Sequence, residues 1–487
     1  MSKINSSVAN YATLFLACVA FHMIGTWAVP LIDRDEPRFA EASREMIERG
    51  DYIVPRFNNQ LRLDKPPLAY WAQVASYRIF GENDFAARFP SAIAAALVAM
   101  SILAWGKRIG GDRVGWWAAI IFTLSLQTFL HAKAAVADMW LVLFMTTAHW
   151  AGYELIQRPA ANWKWWFVFY VSLALGFLAK GPIAWTPLLT LGAFKYFSRD
   201  VDLTRRFKFV RGILLMLAIV SLWGIPALIQ THGDFFRIGI GRHVIGRSFS
   251  AMESHGSNSF WIYLLLLPFY SVTLLLSFLP WTIYSPVLIK ELRLKRRENR
   301  LWRGADERQA DIYLLCGAVI IFVIFSLIKT KLPHYTLPAF PLLALLAARH
   351  ILSGRFLKSG AIGAICVYIA LALVAAPFAA QFFPAKQLFE QSKNELRPEM
   401  DFGAIDFQEP SLVWYFRSRA HGWMTSLNQK SAAPFMEKTG ARFVILPTAL
   451  MTSVFPNLPP NWKTFSTSGF NVAKGKRIDL TLVLKPE

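Results

Sequence analysis

Long apolar runs dominate the chain. Tyr11 to Ile32, Trp116 to Leu130, Trp140 to Ile156, Ile213 to Ile229 and Ile312 to Ile328 approach or exceed the roughly 18 to 20 apolar residues that cross about 30 Å of hydrocarbon. A backbone in lipid must satisfy its own hydrogen bonds, so these runs predict helices. With the N-terminus in the cytoplasm about eleven spans fit, near 11–31, 86–106, 114–131, 138–156, 164–179, 182–197, 211–230, 260–289, 312–328, 335–350 and 360–379. The first run is long for the apolar region of a cleaved leader, and many similar runs follow it.

The polar positions between the runs fall into two sets. Gly106 to Arg113, Arg199 to Arg211, Lys290 to Gln309 and Arg349 to Lys358 are short and basic, densest at Lys290-Glu-Leu-Arg-Leu-Lys-Arg-Arg. The positive-inside tendency assigns them to the cytoplasm. Alternation then puts 32–85, 132–137, 231–259, 329–334 and everything after about Phe383 on the other side. In the first of these segments Phe39, Ala42, Met46 and Ile47 recur at helical spacing among charges, which suits a helix in the interface plane. Pro67 to Phe80, with Tyr70, Trp71 and Tyr77, reads as a second such element. The tail changes character, with short apolar stretches at Leu412 to Phe416, Arg442 to Pro447 and Ile478 to Leu484. The pattern predicts a mainly α, polytopic membrane domain over 1–383 and a small extracytoplasmic α/β domain over 384–487.

Composition agrees with the pattern: 487 residues are 55% hydrophobic and only 17% charged. The net charge of +21 is spread over short loops, which favours anionic lipid and topology over a nucleic-acid surface. Cys18, Cys316 and Cys366 all fall in predicted spans, so neither a disulfide framework nor a CxxC metal site is expected.

Candidate chemistry concentrates on the extracytoplasmic set. Asp33-Arg-Asp35-Glu36-Pro-Arg follows the first span directly. Asp35 and Glu36 read either as the start of a helix or as carboxylates reaching a lipid head group. Lys65, beside Asp64, is either a snorkelling anchor or a point charge for a phosphate. Asp138 stands at the mouth of a span, where an ionisable group is costly unless it faces a cavity or a cation. Lys180 is a helix-end anchor or a further cation. Arg237, Arg242, His243, Arg247, Glu253 and His255 make a cationic loop, and Lys329-Thr-Lys331-Leu-Pro-His334-Tyr335 adds donors beside another span. Glu253 and His255 are a metal pair without a third ligand.

Taken in order, Asp35-Glu36, Arg38-Phe39-Ala40-Glu41, Arg44-Glu45-Met46, Gly50-Asp51-Tyr52-Ile53-Val54-Pro55, Asp64-Lys65-Pro66-Pro67 and Tyr70-Trp71 resemble the first periplasmic loop of bacterial aminoarabinose-transferase-like enzymes of the GT-C class, akin to protein mannosyltransferases. Asp138, Gly176-Phe-Leu-Ala-Lys-Gly, Glu253-Ser-His255-Gly and Lys329-Thr-Lys-Leu-Pro-His-Tyr-Thr-Leu-Pro extend the likeness to about residue 350, and Gln408-Glu-Pro-Ser-Leu-Val-Trp-Tyr matches more loosely. The resemblance implies a GT-C bundle in a bacterial inner membrane that moves a sugar from a polyprenyl phosphate, with inversion, to lipid A or another envelope glycolipid. It places the acidic catalytic position on Asp35 and the Glu-Lys-Pro motif on Asp64-Lys65-Pro66, with Asp in place of Glu.

The chemistry is consistent with this. A leaving phosphate needs cations, for which Lys65, Arg247, Lys329 and Lys331 are available. Asp35, with Glu36 and Asp138, forms the acidic set, as general base or acceptor-orienting group according to the acceptor. Asp64, Glu253, His255, His334 and Tyr335 are supporting candidates. No obligatory metal follows from a monophosphate leaving group, and a divalent ion remains open. A transporter or flippase of a lipid-linked sugar is the alternative class, although charge here gathers at one surface and not at mid-span.

Overall fold

The computed structural model describes residues 2–158, 163–198, 202–246, 259–297, 304–350, 354–472 and 474–487. Its first helices are α1 (Ser2–Met23), α2 (Asp35–Arg49), α3 (Leu68–Phe80), α4 (Asp84–Thr123), α5 (Leu126–Ala132), α6 (Asp138–Gln157), α7 (Trp163–Lys180), α8 (Thr186–Phe197), α9 (Leu203–Phe207) and α10 (Phe209–Gln230). The chain divides into two compact units. One is helical and holds Met1–Met23, Leu63–Ala69 and Arg88–Ile369. The other holds Ile24–Arg62, Tyr70–Ala87 and Ala370–Glu487.

The helical unit is that of a multi-pass membrane protein. Among the described residues, the helices Asp84–Thr123, Leu203–Gln230, Ala305–Leu327 and Gly354–Ala380 are long and apolar enough to cross a bilayer. Phe269–Ser277 and Trp281–Leu294, bent by 104°, make a fifth crossing if they count as one. The runs expected near 86–106 and 114–131 are two limbs of α4, broken at Gly111, where φ is 80°. The limbs touch backbone to backbone, since a Cβ on Gly106 would lie 2.6 Å from Gly115 Cα.

Loops sort to the two ends of this unit as the alternation of spans requires. At one end Arg108 pairs with Glu154 at 3.5 Å, Gln157 donates to Gln309 at 3.0 Å, Arg349 donates to Asp311 at 2.7 Å, and Arg206 reaches the Ile156 carbonyl. At the other, the start of α6 meets the ends of α5 and α7 and the short helical turn Pro333–Ala339.

In the second unit, strands β1 (Arg56–Phe57) and β2 (Gln60–Leu61) form a small antiparallel ladder. Strands β3 (Asp401–Ile405), β4 (Met424–Leu427), β5 (Arg442–Pro447), β6 (Lys463–Asn471) and β7 (Lys476–Lys485) form a sheet in the order β4-β3-β5-β7-β6. The β3 pairings with β4 and β5 are parallel, and β7 runs antiparallel to β5 and β6. β5 is buried along nearly its whole length, and β6 alternates exposed and buried residues, as an edge strand covered on one face does. Of the three apolar stretches of the tail, Arg442–Pro447 and the last are strands, whereas Leu412–Phe416 lies in a helix begun by Pro410, whose fixed φ suits a first turn.

Helix α2 forms where its amphipathic spacing predicts, yet it does not lie with a wet charged face. Glu41, Arg44 and Glu45 are buried together with Phe39, Ala42 and Met46. Their charges are met inside the unit: Arg417 pairs with Glu41, with Glu45 at 3.8 Å and with Glu48 at 2.8 Å. Arg44 pairs with Glu41, donates to the Trp414 carbonyl at 2.9 Å and stacks 4.5 Å over the Trp414 ring. Compensation of this kind makes burial of four charged groups, Glu41, Arg44, Glu45 and Arg417, tolerable.

Candidate active site

The second unit carries the acidic end of the first loop. Asp35 is the first residue of α2, after Arg34 at the cap position, and no side chain makes a capping bond there. Its carboxylate is exposed and has no hydrogen bond or ion pair among the described residues. Asp35 and Glu36 thus start a helix, as one of the two readings had it, and the Asp35 carboxylate makes no capping bond. Glu36 is buried, and its Oε2 accepts from the Ile32 backbone N–H at 2.8 Å, which ties the turn to the helix.

Asp33, which nothing in the sequence sets apart from its neighbours, is the anchor of this turn. Its Oδ1 accepts from Ser411 N–H at 2.8 Å and its Oδ2 from the Ser411 hydroxyl at 2.5 Å. Arg34 pairs with Glu409 at 3.3 Å beside it. Burial pushes the Asp33 carboxyl up to about 7, against the Ser411 hydrogen bonds, with the Glu409 carboxylate adding to the rise. Burial, reinforced by the Glu41 carboxylate, likewise pushes Glu45 up to about 7.

The helical unit carries the cations. Lys65 is half-buried, with its ammonium 3.3 Å from the Asp64 carbonyl. Lys329 is half-buried, with no hydrogen bond or ion pair among the described residues. Lys331 turns back onto its own helix end and donates to the Phe325 and Ser326 carbonyls at 3.1 and 2.6 Å, beneath Tyr263 and Tyr270. Arg247, Glu253 and His255 lie outside the described residues.

Asp138 opens α6 and is 8% exposed. The sequence offered it no partner, but the Lys180 ammonium, at the last residue of α7, sits 2.5 Å from its Oδ1. His334 Nε2 lies 3.8 Å from the same oxygen. The His334 ring packs against His131, with centroids 4.8 Å apart, and edge-on against Tyr335 at 5.2 Å. Lys180 also lies 5.7 Å from the Tyr335 ring centre. The geometry is that of a buried carboxylate holding an ammonium in place, with two imidazoles at its side.

Residues 64–225 match the family model of dolichyl-phosphate-mannose-protein mannosyltransferase. The chain is 31% identical over 352 residues to an undecaprenyl phosphate-alpha-4-amino-4-deoxy-L-arabinose arabinosyl transferase of Edwardsiella ictaluri, covering 71% of this chain and 60% of the relative. It is 33% identical over 396 residues to the corresponding transferase 2 of Sodalis glossinidius, covering 78% of this chain and 66% of the relative. The crystal structure of ArnT from Cupriavidus metallidurans bound to undecaprenyl phosphate superposes with a TM-score of 0.75 at 19% identity, over 98% of each chain. The chain belongs to the aminoarabinose-transferase-like GT-C family. It spans 60% and 66% of the length of the two curated relatives, and the likeness to the solved structure speaks for the fold.

Within this GT-C frame, His131, Asp33 and Arg417 are residues that the sequence does not single out, whereas Lys180 stands out only as an anchor or a further cation. Alternation alone held part of the signal, because it places the ends of α5 and α7, the start of α6 and the 329–334 link on one face. It could not say that Lys180 reaches Asp138. Nothing local marks Ser411 or Arg417, which lie 378 and 376 positions from Asp33 and Glu41.

Proposed function

We propose that this chain is a glycosyltransferase that takes a sugar from a polyprenyl phosphate and transfers it, with inversion, to lipid A or another envelope glycolipid at the periplasmic face of a bacterial inner membrane. The observation that carries the reading is the 31% and 33% identity to enzymes named for such a transfer. In this reading about eleven helices cross the bilayer, residues 1–383 form the membrane domain, and 384–487 lie outside with the loops of the site.

The chemistry assigned is a single displacement. The bond between the anomeric carbon and the phosphate oxygen breaks with its electron pair moving to the phosphate, while the acceptor oxygen bonds the opposite face of that carbon. Lys65 and Lys329, with Arg247, hold the growing phosphate charge, a role that fixed cations perform in a water-poor site without reorganising. Asp35 takes the proton of a hydroxyl acceptor or orients an ionised one. Asp138 keeps Lys180 charged and aimed. Glu36 holds the turn that presents Asp35, Lys331 secures the loop beside Lys329, and Asp64, Glu253, His255, His334 and Tyr335 are assigned supporting roles from the sequence. The long lipid tail of the donor supplies binding energy remote from the reacting carbon.

The test gives purified protein in detergent a labelled polyprenyl phosphate sugar or the matching nucleotide sugar, with a lipid extract as acceptor. Transfer is expected from the lipid-linked donor only, and to fall by about 10²-fold or more in folded Asp35→Asn and Lys65→Ala. Transfer from the nucleotide sugar in an extract free of polyprenyl phosphate overturns the donor class. Near-normal turnover by folded Asp35→Asn removes Asp35 from the chemistry.

A further inference from the structure

Three side chains from three separate segments converge at one end of the helical unit. His131 lies in the last turn of α5, Asp138 in the first turn of α6, and His334 in the turn Pro333–Ala339. One ligand atom from each lies within 4.8 Å of the others. Two imidazoles and a carboxylate are the donor set that borderline divalent ions such as zinc take up, leaving a position open for water or another ligand. Ligand atoms around a tetrahedral zinc ion stand roughly 3.4 Å apart for metal–ligand bonds of about 2.0 to 2.1 Å. The three atoms therefore need to draw in by a distance that side-chain rotation supplies. Asp138 is buried and both histidines are half-buried, so the group is shielded yet reachable.

A second observation concerns the shell behind His131. Its Nδ1 lies 2.9 Å from the Gln127 side-chain amide, and that amide meets the Ser277 hydroxyl at 3.2 Å. Amide oxygen and nitrogen exchange by a half-turn that keeps both contacts. With the oxygen toward His131, Gln127 accepts the Nδ1 proton and donates to Ser277, and Nε2 becomes the lone-pair donor. A metal-ligating histidine has this kind of outer partner, which fixes its tautomer and ring orientation.

We propose that His131, Asp138 and His334 bind one divalent transition-metal ion of the zinc class, in competition with the Lys180 ammonium for Asp138. Lys180 Nζ sits 2.5 Å from Asp138 Oδ1 and is the counter-ion when the metal is away. Two cations do not share one carboxylate oxygen at such range, so metal entry swings the flexible lysine stem aside. Binding is independent of sugar transfer and is read without any substrate.

Tag-free full-length protein in detergent, stripped by a chelator, is titrated with Co²⁺ alone, followed by visible ligand-field absorption, and then displaced by Zn²⁺ with elemental analysis of stoichiometry. One Co²⁺ per chain is expected. His131→Ala and His334→Ala should each weaken binding at least 100-fold, and Gln127→Leu about 10-fold. Lys180→Met should tighten binding at least 10-fold, a direction that damage to the fold does not produce. Absence of stoichiometric uptake by the folded wild type, unchanged uptake by the double variant His131→Ala/His334→Ala, or weaker uptake by folded Lys180→Met each overturns the proposal. If the double variant fails to fold, His334→Asn with a checked melting curve replaces it, and unchanged uptake there has the same meaning.

Discussion

Two buried aspartates at opposite ends of the helical unit hold the same kinds of partner and do different things with them. Asp138 has Lys180 at 2.5 Å and His334 at 3.8 Å, and Asp311 has Arg349 at 2.7 Å and His350 at 2.8 Å. The 20 residues of α6, about 30 Å of helix, separate the two ends, since Gln157 at its far end meets Gln309 near Asp311. At Asp311 the cation is a planar guanidinium that also reaches the Ile109 and Glu307 carbonyls, so one side chain ties together three segments. At Asp138 the cation is a point charge on a flexible stem, with aromatic and imidazole rings around it and no second hydrogen bond described. The first arrangement locks loops, and the second holds a charge that can be exchanged or aimed.

The largest effect expected from this contrast is on stability at the locking end. Arg349→Met leaves Asp311 buried without its guanidinium and frees two carbonyls, so it should cost about 3 to 5 kcal/mol. Thermal unfolding in detergent reads this, and the transfer rate per folded molecule should change little. Lys180→Met should cost less, about 1 to 3 kcal/mol, while lowering transfer by about 10²-fold. Equal melting temperatures for the two variants, or equal transfer rates, would erase the distinction.

A third, half-buried carboxylate sharpens the comparison, because Asp33 is held by the Ser411 N–H and hydroxyl and by no ion pair among the described residues. Its folded pKa of about 7 lies above the ordinary 3.8, so between those values the folded state binds a proton that the unfolded state has already lost. Stability should therefore fall as pH rises from about 5 to about 7, by about 1.4 kcal/mol per pH unit for each such group. Glu45, also near 7, contributes in the same direction. Melting curves across this range should flatten by about half in Asp33→Asn. An unchanged slope would show that Asp33 is ionised throughout.

The smallest effect is expected where an ion pair is wet. Lys107 and Asp112 meet at 3.1 Å across the tip of the α4 hairpin, with the Asp112 side chain 81% exposed. Asp112→Ala should change stability by no more than about 0.5 kcal/mol. A larger loss at that tip would mean that burial is not what separates the strong pairs from the weak ones.

The sequence by itself determined the membrane class, the helical runs and the sorting of loops to the two ends of the helical unit. These follow from local properties: apolar length, basic loops and helical spacing. It also singled out Asp138, because an ionisable group at the mouth of a span is costly unless it faces a cavity or a cation, and Asp35 and Lys65 as charges beside a span that could meet a lipid head group. Tertiary structure decided who meets whom. Only packing brought Lys180 and His131 to Asp138, turned Lys331 back onto its own helix end, and placed Ser411 and Arg417 against Asp33 and Glu41. Lys180, Ser411 and Arg417 lie 42, 378 and 376 positions from the carboxylates they meet, and a charged side chain at a helix end looks the same in sequence whether it meets water, lipid or a buried counter-charge. Local patterning fixes which groups must find a partner, and the arrangement of helices and strands in space selects the partner each one finds.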